Sequence, residues 1–74
     1  MKTYLKILFS SEGDSPSEIK DLLFGMGFKA TKGNYDFVYE WDSESTDVTE
    51  LIWFADKVHQ ALKNSHVLFD IETI

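Results

Sequence analysis

The sequence predicts an α+β domain in which a four-stranded antiparallel sheet carries two helices on one face. Three observations lead there. Runs at both ends alternate apolar and polar residues with the period of a strand; two stretches repeat apolar residues at i, i+3, i+4 and i+7 behind helix-capping residues; and Gly33-Asn34 separates two further alternating runs. Seventy-four residues make a single domain, 1–74, near the size where one core only just suffices.

The first strand is Thr3 to Phe9, with Leu5, Ile7 and Phe9 on one face and Tyr4, Lys6 and Leu8 on the other. A polar turn, Ser10 to Asp14, leads to Ser15-Pro16-Ser17-Glu18. There Ser15 can accept from the amide three residues on, Glu18 can reach back to the Ser15 amide, and Pro16 suits the first helical position. Ile19, Leu22, Leu23 and Met26 then define the buried face of a helix from Pro16 to Met26, which Gly27 ends.

Phe28 to Lys32 and Tyr35 to Asp42 read as strands of a hairpin turning at Gly33-Asn34. Pairing Lys32 with Tyr35 sets Ala30 against Phe37 and Phe28 against Tyr39 on one face. Thr31 then opposes Asp36, and Lys29 opposes Val38, on the other. Asp42 to Thr46 is a polar loop, and Thr46 or Asp47 caps a second helix to about Asn64. Its expected buried stripe is Val48, Leu51, Ile52, Ala55, Val58 and Leu62. A last strand alternates Val67, Phe69 and Ile71 with Leu68, Asp70 and Glu72.

The resulting order, β-α-β-β-α-β, resembles the ferredoxin-like superfold over the whole chain. The resemblance rests on element order, so it implies architecture and leaves activity open.

Composition excludes several functions. A net charge of −6, a pI near 4.6 and seven basic residues, all Lys, oppose nucleic-acid binding, which depends on neutralising phosphates. No segment approaches the roughly 20 apolar residues that span a bilayer, and Lys6 interrupts the only stretch with signal-peptide character, so no membrane association or processing is expected. The absence of Cys removes disulfides and thiolate chemistry and fits a cytoplasmic protein.

Candidate chemical sites resolve into ordinary features. The expected open sheet face, with Tyr4, Lys6, Leu8, Lys29, Thr31, Asp36, Val38, Glu40, Leu68, Asp70 and Glu72, is acidic with one aromatic. It reads as solvated cross-strand pairs of Lys6 or Lys29 with Asp36 and Glu40 and makes a poor stacking platform for RNA. Leu8, Val38 and Leu68 on that face leave room for self-association. The loop Ser10 to Ser15 precedes a helix N-terminus, where acylphosphatase-like members of the superfold bind phosphate with an arginine; this chain has none, and Glu12 and Asp14 repel anions. Asp42, Glu44 and Asp47, like Glu12 and Asp14, lack the spacing of a calcium loop, and His59 and His66 share no zinc-ligand spacing. No catalytic residue, metal ligand or cofactor is expected, and the chain does not read as an enzyme.

Two aromatics break the pattern. With Ala55 centring the stripe of the second helix, Phe54 lies about 100° away, on the flank, and Trp53 about 160° away, toward solvent; Phe24 lies about 150° from the stripe of the first helix. Antiparallel helices would bring Phe24 and Trp53 to one end of one outer face, rimmed by Lys20, Asp21, Lys57 and Gln60. Trp in particular is enriched at interface hot spots. The sequence therefore points to a module that docks another protein through this helical face. Aromatics grafted onto a regular scaffold by design would produce the same conflict between pattern and placement. The alternative is a natural domain that binds a small molecule or self-associates through its open sheet face.

Overall fold

In the computed structural model, which describes residues 1–33, 35–42 and 46–74, the elements are β1 (Lys2–Leu8), α1 (Pro16–Gly25), β2 (Lys29–Ala30), β3 (Phe37–Glu40), α2 (Val48–Leu62) and β4 (Leu68–Thr73). Asn34, expected in the hairpin turn, and residues 43–45 of the polar loop, including the candidate ligand Glu44, lie outside the described residues.

The four strands form one antiparallel sheet in the order β2-β3-β1-β4. Because β3 runs antiparallel to both β1 and β2, those two are parallel with β3 between them, and α1 makes the crossover. By the same reasoning β3 and β4 are parallel, flank β1, and are joined through α2. The fold is α+β, as the alternation and capping signals imply.

Side-chain alternation determines where the core lies. Thr3, Leu5 and Ile7 of β1 and Phe37 of β3 are buried, and they join Ile19 and Leu23 of α1, Phe54, Val58 and Leu62 of α2, and Phe28. Both helices therefore cover the same face of the sheet. The hairpin register follows the alternation too: Lys29 faces Val38 and Ala30 faces Phe37.

Helix α1 begins as its sequence dictates. The Ser15 hydroxyl accepts from the Glu18 amide, and the Glu18 carboxylate accepts from the Ser15 amide at 3.1 Å, which pulls the Glu18 carboxyl below its usual range. The helix ends one residue earlier than expected, with Met26 as its cap, because Gly27 takes φ +100° and the Gly27 amide turns back to the Phe24 carbonyl at 3.1 Å. For α2, Asp47 rather than Thr46 is the cap, accepting from the Glu50 amide at 2.9 Å.

The strands of the hairpin are shorter than their alternating runs, and just before β3 the Asp36 backbone still bonds both neighbours, its carbonyl accepting from the Thr31 amide at 3.0 Å. The Asp36 amide donates to the Leu5 carbonyl, and its carboxylate accepts from the Ile7 amide at 2.8 Å. A side chain thus satisfies the β1 amide that the ladder no longer reaches. Asp36 is therefore bound to backbone and makes no pair with Lys6 or Lys29. Beyond this point Phe9, expected inside, is exposed.

The main departure concerns α2. The buried residues are Phe54, Val58 and Leu62, with Leu51 and Ala61 half-buried, whereas Val48 and Ile52 are exposed. The helix is rotated by about 60° from the orientation its aliphatic stripe suggests. Phe54, expected on the flank, is only 6% exposed. Its ring meets those of Phe28, Tyr39 and Trp41 at centroid distances of 5.5, 4.5 and 5.1 Å. Leu22 of α1, assigned to the buried face, is also exposed.

Gly27 provides a test of this packing. Its φ is +100°, and a Cβ would lie 2.9 Å from the Tyr39 ring. Gly27→Ala is expected to lower stability by at least about 1 kcal/mol in urea denaturation, from the backbone conformation alone, and by more if the Tyr39 ring must shift.

Candidate functional site

The residues singled out on the helical side fall into three groups. Phe54 is core. Phe24, 46% exposed, sets its ring edge-on to Phe37 at 6.4 Å, with the Lys20 ammonium 5.8 Å from its centre and Lys20 paired to Asp21 at 3.5 Å. Trp53, 60% exposed, stands on the other side of α1 with the Lys57 ammonium 5.3 Å from its ring centre, and Gln60 is exposed one turn further on. Phe24 and Trp53 thus both project to solvent but on opposite sides of α1, so they do not form the single outer face expected of them. Met26, which shares a hollow with Trp53, lies about 160° around α1 from Phe24.

That hollow is the built feature of this side. Met26, Tyr39, Trp41, Trp53, Phe54 and Lys57 line a depression of about 280 Å³, five apolar or aromatic side chains with one cation at the rim. Each wall has a cause. Tyr39 and Trp41 project to the helical side at alternate positions of β3 and its extension, and their rings meet at 5.0 Å. Trp41 is anchored at both ends, its backbone amide donating to the Met1 carbonyl at 3.1 Å and its indole N–H to the Thr3 hydroxyl at 2.7 Å. Thr3 is buried and shares a further hydrogen bond of 2.8 Å with the Thr73 hydroxyl. Trp53 arrives from α2 because the rotation that buries Phe54 leaves it about 140° from the centre of the buried face.

Trp41, Tyr39 and Met26 were not among the residues singled out from sequence. Their signal was present in the alternation of the run Phe37, Tyr39, Trp41, but on that reading they were ordinary core positions. Nothing in the sequence marked them as bordering a space open to solvent.

The open sheet face keeps the expected pair of Lys29 with Glu40 and departs from its expectation elsewhere. Glu40 lies 3.6 Å from the Lys2 ammonium and 3.5 Å from that of Lys29, with the Lys29 contact foremost in lowering the Glu40 carboxyl below its usual range. Lys6 is in register with Asp70. Tyr35, placed on the helical face by simple alternation, instead crosses the open face, stacks beside Tyr4 at 4.9 Å and donates its hydroxyl hydrogen bond to Glu72. The chain bends at Asp36, so the alternation does not carry back to Tyr35. Glu72 therefore pushes the Tyr35 phenol above its usual value, because losing the proton loses the hydrogen bond and sets two negative charges together.

Among the described residues no group of three or more His, Asp or Glu side chains converges as a metal site would, and no helix is long and apolar enough to cross a membrane. His59 is exposed on α2, and His66, also exposed, occupies the turn before β4 with φ +54°. Compared with models of known protein families, with characterised proteins and with solved structures, the chain finds no match.

Two tests follow from these placements. Phe54→Ala is expected to cost about 3–5 kcal/mol in chemical denaturation, the loss of a core side chain where the aliphatic stripe of α2 suggests only a flank position, and Trp53→Ala less than about 1. In an ultraviolet titration Tyr35 is expected to ionise above the ordinary tyrosine value of 10.0, and Glu72→Gln to bring it back toward that value. The sign follows from the direction of the shift: a phenol raised in the folded state contributes its stabilisation below the unfolded value and loses it as the pH rises through the folded one.

Proposed function

We propose that the chain is a small protein-binding module that docks a partner through the helical side, with Trp53 as the anchor and the Met26, Tyr39, Trp41 and Lys57 hollow as the receiving surface. One observation supports this reading above the others: a tryptophan held 60% exposed at the rim of an aromatic-walled depression. Trp is among the residues that dominate interface energetics, and its ring loses little conformational entropy on docking. The partner places an apolar or aromatic side chain against Tyr39 and Trp41, and the Lys57 ammonium beside Trp53 supplies polar contact at the rim. Phe24, with Lys20 and Asp21, lies across α1 from the hollow, so a partner reaches it only by also spanning α1, and it contributes less.

The element order and the two split crossovers support a ferredoxin-like architecture for the module, used as a scaffold for binding and not for catalysis. A cytoplasmic setting fits its lack of cysteine. A second reading, self-association through the open sheet, draws on the exposed cross-strand pair Leu8 and Leu68. A molecular mass that rises with concentration, and ceases to do so in Leu68→Lys, would favour it.

The test of the first reading is affinity capture with the wild-type chain beside Trp53→Glu and Phe24→Ser, each shown by circular dichroism to be folded. Trp53→Glu should abolish capture and Phe24→Ser should weaken it by less. Capture that survives Trp53→Glu unchanged would overturn the proposal.

A further inference from the structure

Strand β4 closes one side of the sheet, and among the described residues nothing pairs with its outer edge. The ladder with β1 decides which groups that edge presents. Lys2 and Ile74 exchange both backbone hydrogen bonds, at 3.0 and 2.9 Å, so at alternate positions Glu72, Asp70 and Leu68 also turn their backbone groups toward β1. Phe69, Ile71 and Thr73 accordingly turn theirs outward. Three successive amide and carbonyl pairs at strand spacing are a template for another strand.

Helix α2 connects β3 to β4 across the face of the sheet that carries the core. Its Trp53 and Lys57 flank faces Met26, Tyr39 and Trp41, on the side of α1 and β3. Val48 and Ile52 lie on the opposite flank, about 80° and 120° from the centre of the buried face, and the strand order puts β1 and β4 on that side. Both are uncovered, at 68% and 57% exposure, while Phe69 and Ile71 on the inner face of β4 are half-buried. On the other face β4 displays Asp70 and Glu72, and only Asp70 has a lysine in register.

Charge selects the occupant. A second copy pairing antiparallel through all three outward groups would set Asp70 opposite Glu72 twice, and a shift by one pair would set either Asp70 or Glu72 opposite its own counterpart. Each of these contacts falls at the close, non-hydrogen-bonded positions, where like charges destabilise most. The net charge of −6 adds to the mutual repulsion. We propose that the β4 edge receives an extended basic segment of another protein as a fifth strand. Its alternate side chains are apolar beneath Val48 and Ile52, and Lys or Arg beside Asp70 and Glu72. This surface is separate from the Trp53 hollow and does not depend on it.

The test titrates the isotope-labelled full chain with a seven-residue peptide alternating valine and lysine. Controls are its valine and glutamate counterpart and a lysine peptide N-methylated at alternate residues. The lysine peptide should slow amide exchange at Phe69, Ile71 and Thr73 and shift the Val48 and Ile52 methyl resonances, while neither control does so. Asp70→Lys with Glu72→Lys should weaken the lysine peptide about tenfold and reverse the preference toward glutamate. Equal binding of the lysine and glutamate peptides, indifference to N-methylation, or no binding of the lysine peptide at millimolar concentration would each overturn the proposal. So would edge amides whose protection grows with protein concentration alone, which would assign the edge to a second copy.

Discussion

The rotation of α2 about its axis controls most of what this molecule presents to its surroundings, and Phe54 sets that rotation. Two orientations compete. One buries the aliphatic stripe that includes Val48, Ile52 and Ala55; the other turns the helix by about 60° and buries Phe54. Removing an aliphatic or an aromatic side chain from water is worth a similar amount, about 1.5–3 kcal/mol each, so burial alone does not choose. The ring contacts do. Phe54 reaches Phe28, Tyr39 and Trp41, and such pairs contribute about 0.5–1.5 kcal/mol apiece beyond the area they bury. Three of them outweigh leaving Val48 and Ile52 partly wet.

The ring cluster is itself held by polar contacts at its base. Trp41 is positioned by its indole bond to Thr3, and Thr3 is a buried hydroxyl whose hydrogen-bonding capacity is used by Trp41 on one side and Thr73 on the other. Thr3 and Thr73 face each other across the β1 and β4 ladder, so the network links the end of β3, the centre of the sheet and the outer strand. A buried hydroxyl without partners would be costly, whereas one that is fully used fixes a single arrangement. The aromatic cluster is thereby tied to the strand at the far side of β1, and α2, resting on that cluster, inherits the same reference.

Much of this fold can be read from the chain. The capping box at Ser15 and Glu18, the cap at Asp47 and the hairpin register of Lys29 with Val38 all follow from local chemistry, which acts within a few residues and leaves direct marks in the sequence. What could not be read is what depends on distant partners. The face of α2 is hidden from local pattern because six aliphatic residues outline a clean stripe, while the rings that capture Phe54 come from β3, its extension and the segment before β2. Tyr35 was misplaced for a related reason: the Asp36 carboxylate substitutes for a missing ladder bond to Ile7, and the bend that allows this interrupts the alternation. Of the residues proposed for binding, Trp53 is exposed because its angle from the buried face is large under either rotation, whereas Phe54, on the boundary, turns inward.

The same rotation explains why α2 has two exposed apolar flanks. A helix over a sheet covers its apolar residues only within the arc the sheet can reach, and the apolar residues of α2 extend well beyond that arc. Turning Phe54 inward sends Trp53 out toward α1 and β3, beside rings that already form a hollow, and leaves Val48 and Ile52 exposed on the opposite flank. Burying either flank by a further turn would expose Phe54 or its neighbours Val58 and Leu62, so the excess is not removable by local adjustment. In a domain of this size, exposed aliphatic and aromatic groups on two sides require a reason, since neither contributes to the core. The acidic pair Asp70 and Glu72 gives the β4 side one: it blocks self-pairing of a strand edge that would otherwise template aggregation, and it leaves that edge open to a partner of opposite charge.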